Sequence, residues 1–238
     1  MREYMEKLRA AGQLLEVHRE VSPKHELAAV TQAAQRHSGK AILFHRVTGS
    51  TLPVVSNIYG SRQRLAEILG IGPYDFCRQW NNLVNLAPPI ANPVRAVASS
   101  GYELVECRVS DLPLITYAEH DGAPYFTSAM FLATEPETGV SNLSFHRSMY
   151  VSDGELRCRL APRHHLTLYH EKAERMGRPL EAAMLIGPPP TTFLSAAAPI
   201  PYDADEMELA AKLARRPLAM RPCRHIDLMV PDATEIVI

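Results

Sequence analysis

Apolar residues along this chain recur with two different periods, and the period changes near residue 100. Before that point, helical spacing alternates with short apolar runs. Residues 1–11 form an amphipathic pattern that stops at Gly12, the residue type favoured just past a helix end. Residues 14–17 then read as a short strand. Leu27, Val30, Ala33 and Ala34 lie at helical spacing within residues 23–37, and the pattern stops near Gly39. Residues 41–47 and 52–58 are β-prone runs, and Ser61 opens a further helix through Leu69 to Gly70. Strands alternating with helices predict a small α/β layer domain over residues 1–102.

From residue 103 the texture changes to strands broken by turns. The most informative stretch is residues 121–151. Two β-prone runs, 125–134 and 140–151, flank the turn Glu135-Pro136-Glu137-Thr138-Gly139, where Pro fixes φ and Gly tolerates a positive one. In the second run Asn142, Ser144, His146 and Ser148 alternate with Leu143, Phe145, Arg147 and Met149, which predicts a hairpin with one polar face. Arg147 stands where the alternation expects an apolar residue. Facing inward, its permanent charge needs an anion; the alternative is an edge-strand arginine snorkelling to water. Strands at 104–109, 155–160, 179–186, 227–230 and 235–238, with helices at 166–176 and 206–214, complete the pattern. Together they predict an incomplete antiparallel barrel over residues 103–238 and an α+β chain overall.

Composition narrows the function classes. A hydrophobic fraction of 46% and a net charge of −1 over 238 residues describe a chain with ample core and no basic surplus for nucleic acid. No run of about 18 apolar residues is present, so neither a membrane span nor a membrane partner is expected, and the cytoplasm is the default location. Cys77, Cys107, Cys158 and Cys223 form no C-x-x-C pair, which disfavours a zinc ribbon or a disulfide frame and leaves them as small reduced hydrophobes. No G-x-G-x-x-G or Walker-type loop occurs, so a nucleotide would bind by other means. The 19 prolines cluster in stiff loops, including Pro188-Pro189-Pro190.

An ordered set of short motifs carries the candidate chemistry: Asp111-Leu112-Pro113, Thr127-Ser128, the 136–139 turn, Asn142 with Arg147, His165, the 196–201 loop, and Glu206. Singly, Asn142 suits a turn cap, His165 a helix start and Glu206 a first helical turn. As a set, spanning nearly the whole chain, they resemble the UbiD-type decarboxylases. Residues 57–62, a strand ending in Gly60 before a helix, resemble that family's N-terminal signature.

The resemblance implies an α/β N-terminal domain followed by an incomplete split β-barrel of the flavin-reductase kind. It implies prenylated FMN as cofactor, bound by Thr127, Asn142, Ser144, Arg147, His164, His165, Ala196, Ala198, Pro199 and Glu206. Asn142, His165 and Glu206 would hold Mn²⁺ or Mg²⁺ against the flavin phosphate, an oxygen-rich set that suits those ions better than zinc. K⁺ would sit beside it, on carbonyls of the small-residue run at 195–199. Arg147 would be catalytic, binding substrate carboxylate beside a glutamate, and His164 would face the substrate. The implied reaction is decarboxylation, or its reverse, of an aromatic or α,β-unsaturated acid.

One departure stands out. The family's paired catalytic glutamates sit in a Pro-Glu-Gly-Pro-Phe-Gly-Glu segment, and none occurs before Ile238. The expectation is therefore a fragment, one part of a split enzyme completed by a C-terminal polypeptide, or a decayed relative, with an uncovered final strand. Homo-oligomer formation is expected as well. The alternative function is a non-catalytic flavin- or metal-binding subunit of a larger decarboxylase or carboxylase assembly.

Overall fold

A computed structural model describes residues 1–97 and 104–238. The boundary expected at residue 102 lies outside the described residues.

The chain opens with helix α1 (Arg2–Ala10), followed by strand β1 (Leu14–Val21), helix α2 (Glu26–His37), and strands β2 (Ala41–Val47) and β3 (Val54–Ser56). The order is β1-β2-β3, with β1 and β2 parallel across the α2 connection and β3 antiparallel to β2. Two apolar layers clamp this sheet. Leu27 and Ala34 of α2 cover Val21, Ile42 and Phe44, while Met5 and Leu8 of α1 cover Ala41 beside Leu14 and Leu43. Each fully buried Val, Leu, Ile, Phe or Met side chain here contributes roughly 1.5–3 kcal/mol.

Helix α3 (Arg62–Leu69) starts where Ser61 Oγ accepts the Arg64 N–H and ends at Gly70, whose φ of 62° is left-handed. Helix α4 (Phe76–Asn81) runs on into a π-helical turn at Asn82–Leu86, and strand β4 (Val94–Ala96) follows. The sequence pattern foresees neither α4 nor β4.

No strand forms over residues 104–109, contrary to the sequence pattern. Leu104 and Val105 are 53% and 80% exposed, and Asp111 instead closes a short 3₁₀ turn by accepting the Arg108 N–H at 3.0 Å. Cys77 and Cys107 are exposed, so they are not the packed small hydrophobes expected.

The expected hairpin is split. Strands β5 (Tyr125–Phe126) and β6 (Met130–Thr134) replace the first run, and β7 (Ser141–Phe145) and β8 (Ser148–Ser152) replace the second. β6 and β7 pair antiparallel across the turn, whereas β8 leaves for another sheet and pairs with β5 and with β9 (Glu155–Cys158). Helix α5 (His165–Arg175), strand β10 (Ala182–Ile186), helices α6 (Pro190–Ser195) and α7 (Glu206–Ala214), and strands β11 (Leu218–Pro222), β12 (Met229–Pro231) and β13 (Ile236–Val237) complete the chain.

The remaining sheets run β13-β10-β6-β7, β12-β11-β4 and β5-β8-β9. The architecture is mixed α/β, and these sheets do not close into a barrel among the described residues. β13 is paired with β10 along one edge, so the final strand is less bare than expected. The main core forms around α7: Met207, Ala210 and Ala211 pack against Met130, Leu132, Leu143 and Leu185 of one sheet and against Leu218, Met220 and Val230 of another. That packing fixes where the first residue of α7, Glu206, points.

Candidate functional site

Asp205 caps α7 by accepting the Met207 N–H at 2.6 Å, and Glu206 turns inward from the first helical position. Its Oε2 accepts the Leu143 backbone N–H at 3.1 Å, and its Oε1 meets Asn142 Nδ2 at 3.0 Å. Ser144 Oγ lies 2.9 Å from Asn142 Oδ1 and 2.9 Å from His146 Nε2, and His146 Nδ1 lies 3.2 Å from the Arg159 carbonyl. The polar face of β7 therefore faces inward, with Asn142, His146 and Glu206 all buried.

This chain of contacts is short of one proton. Its two ends, the Arg159 carbonyl and the Glu206 carboxylate, both accept only, and four links join them through His146, Ser144 and Asn142. A neutral imidazole, a hydroxyl and an amide oriented along the chain supply one donor each, so one link stays unmade. An imidazolium at His146 would close it, but burial lowers the proton affinity of that ring, against the pull of the Arg159 carbonyl, and His164 lowers it further. The gap moves to the other end. Burial pushes the Glu206 carboxyl up to about 7, outweighing the donated hydrogen bonds that pull it down. Among the described residues no lysine or arginine pairs with this carboxylate. A proton on Glu206 fills the gap once the Asn142 amide is turned so that Oδ1 accepts from it and Nδ2–H donates to Ser144. So does a cation between Glu206 and Asn142, with the amide turned so that Oδ1 faces the ion and Nδ2–H donates to Ser144.

Of the three expected metal ligands, Asn142 and Glu206 are brought into contact. His165 begins α5, is half-buried, and stacks edge-on to Tyr202 at 5.2 Å; no hydrogen bond joins it to the other two among the described residues. Burial lowers its proton affinity and His164 adds to this, so the neutral, ligating form is favoured. Tyr202 also meets Tyr169, whose buried hydroxyl has no hydrogen-bond partner among the described residues and is held protonated by burial and by the nearby Tyr202 and Glu206. An orphaned donor near the buried Glu206 carboxylate fits a site completed by a ligand oxygen and a divalent cation.

The other expected residues are more open. His164 is exposed, with its ring 6.2 Å from that of His146. Thr127 is exposed and donates to Tyr117 Oη at 2.9 Å. Ala196 and Ala198 wind off the end of α6, their N–H groups donating to the Thr192 and Ser195 carbonyls, and Pro199 is exposed. Arg147 corrects an expectation: it is exposed, not inward. Ser144 and the Arg159 carbonyl draw the neighbouring His146 into the interior, β7 ends at Phe145, and Arg147 sits in the gap before β8 with its side chain in solvent. His146 is the site residue that sequence reasoning misses as a participant, although its place two residues beyond Ser144 is the signal that finds it.

Residues 94–238 match the model of the 3-octaprenyl-4-hydroxybenzoate carboxy-lyase Rift-related domain, and residues 5–84 match that of the N-terminal domain of the same enzyme. The anhydromevalonate phosphate decarboxylase of Methanothermobacter thermautotrophicus is 32% identical over the whole chain and 54% of its own length. The phenolic acid decarboxylase of Escherichia coli O157:H7 is 30% identical over the whole chain and 53% of its own length. The structure of the UbiD-class enzyme HmfF from Pelotomaculum thermopropionicum in complex with FMN superposes with a TM-score of 0.89 at 34% identity, covering 99% of this chain and 53% of that one. An evolved dimeric form of that enzyme in complex with prFMN gives a TM-score of 0.87 at 33% identity, covering 99% of this chain and 55% of that one. The chain spans about half the length of the curated relatives it matches.

Proposed function

This chain belongs to the UbiD family of carboxy-lyases, and from that premise we propose that it holds the phosphate end of prenylated FMN through a divalent cation, in a protein that removes CO₂ from, or adds it to, an aromatic or α,β-unsaturated acid. The observation that carries the reading is the buried Glu206–Asn142 pair at the end of a hydrogen-bond chain short of one proton. A cation there completes the chain and neutralises a phosphate that would be costly to bury alone.

Asn142 Oδ1, His165 and Glu206 would take the cation, which we assign as Mn²⁺ or Mg²⁺ from the two oxygens and one nitrogen. Ser144 and His146 orient the Asn142 amide from behind. Thr127, His164 and the 196–199 loop are proposed to line the rest of the cofactor site, with K⁺ on carbonyls of that loop. The flavin, when bound, supplies the electron sink for C–C cleavage. Arg147, exposed at the break between β7 and β8, is free to form a two-point ion pair with a substrate carboxylate and hold it in register. We further propose that the second half of the chain is a split barrel closed by polypeptide beyond these residues, that residues 1–102 and 103–238 form its two domains, and that acid–base glutamates come from the same further segment.

The test is occupancy. His165→Ala should lower both manganese and flavin retained after desalting, measured by elemental analysis and absorbance. Unchanged occupancy of both would remove the ligand assignment.

A further inference from the structure

We propose that Glu16, His18 and His45 form a second cation site, for a divalent transition metal of the Zn²⁺ class, on the α1 side of the first sheet. Glu16 and His18 alternate along β1, and His45 lies on the neighbouring β2. Each offers one ligand atom, and the three atoms lie within 4.8 Å of one another. Glu16 Oε2 is already 2.7 Å from His45 Nε2, and the two imidazoles stack with centroids 4.3 Å apart and 13° between their planes.

The sheet explains why the three converge. Glu16 opposes Leu43 in the parallel register, and the ladder slips between Val17 and Glu20, the stretch that holds His18. This face begins with Leu14, Ala41 and Leu43 packed under α1, then turns polar where the helix no longer covers it. Arg9, near the end of α1, reaches down and donates from Nε to Glu16 Oε1 at 2.8 Å. The carboxylate is thereby oriented with Oε2 toward the histidines, the role that outer partners play for metal ligands. The same hydrogen bond, with a smaller contribution from His45, holds Glu16 below the usual carboxylate range, so the ligand is ionised at neutral pH.

Two imidazoles and one carboxylate suit Zn²⁺, Co²⁺ or Ni²⁺, whereas Mn²⁺ and Mg²⁺ prefer more oxygen. At bond lengths of about 2.0–2.2 Å, tetrahedral ligand atoms stand about 3.3–3.6 Å apart, so side-chain rotation suffices to close the present arrangement. His18 is exposed, which leaves a face for water to complete the coordination. The site draws its residues from β1 and β2 and shares none with Asn142, His165 and Glu206 on β7, α5 and α7, so the two cation sites can be separated by substitution.

Tag-free protein would be titrated with ZnCl₂ by calorimetry, with imidazole NMR identifying the rings that shift. One equivalent should bind through His18 and His45, and His18→Ala and His45→Ala should each weaken binding at least tenfold. Glu206→Gln should leave it unchanged. Because His18 is exposed, its alanine variant should keep the wild-type circular dichroism spectrum and Tm, and a lost fold cannot then account for lost binding. No zinc uptake by the wild type, or undiminished wild-type uptake by both histidine variants, would overturn the proposal; in the second case the ion sits elsewhere, for example on the exposed Cys77 or Cys107.

Discussion

Glu206 carries two roles that pull against each other: it anchors the first turn of α7 to β7, and it leaves a buried carboxylate without a cationic partner among the described residues. Its carboxyl is raised from 4.5 to about 7 in the folded protein, a difference of roughly 3 kcal/mol. The sign follows from proton binding. The folded state holds the proton more tightly, so this stabilisation is complete below about 4.5 and is lost as pH rises through about 7. Cation-free protein should therefore lose Tm between those values, while Glu206→Gln, which keeps a donor at that end, should stay flat across the window. A wild-type profile as flat as that of the Gln variant would contradict the proton count. Arg147 makes a separate case, because its exposure leaves the fold indifferent to it. Arg147→Lys keeps the charge but loses the planar fork, so turnover in the assembled protein should fall by about tenfold or more with Tm unchanged. Undiminished turnover would remove Arg147 from substrate binding.

At the scale of elements, the turn between β6 and β7 is pinned by a different carboxylate. Glu135 is buried and accepts the backbone N–H groups of Glu137 and Thr138 at 2.7 and 2.6 Å, and Lys172 of α5 pairs with its other oxygen. Burial alone would raise this carboxyl, but Lys172 and the two backbone donors hold it at about 2. Depressed below its unfolded value, it stabilises above about 4.5, and that contribution is lost as pH falls toward about 2, the opposite window from Glu206. Glu135→Gln should cost about 1–3 kcal/mol at neutral pH and flatten the acid limb of a stability profile; a wild-type acid limb in the variant would show the turn is held otherwise. Much of this level was legible beforehand. Gly139 takes φ 74° in the turn, β2 and α7 occupy their expected residues, and Ser61 caps α3. What misled was parity. The alternation at 142–149 is real to Phe145, but hydrogen bonds to His146 break the strand, and a two-residue period cannot announce where its own ladder stops. Residues 104–109 had β-prone composition but pair with no strand among the described residues, which is a tertiary fact.

Across the whole molecule, the candidate site draws on pieces distant in sequence that meet because α7 is packed between two sheets. Motif order made Asn142, His165 and Glu206 nameable from the sequence, whereas the link through Ser144 to His146 required the fold. The first sheet, with its own layers against α1 and α2, stands on separate cores. Truncating the core that holds α7 should be felt at the site: Leu143→Ala, fully buried on β7, should cost about 2–5 kcal/mol and loosen cation retention, and a variant that melts with the wild type would mean α7 is held elsewhere. The most direct test of the central claim is the thermal shift produced by MnCl₂ at about pH 7 in wild type and in Glu206→Gln. Binding only to the folded state raises Tm by mass action, so wild type should gain several degrees at saturating manganese, while the Gln variant, its chain already complete, should gain none. An equal manganese-induced rise in both proteins would place the cation away from Glu206 and contradict the account.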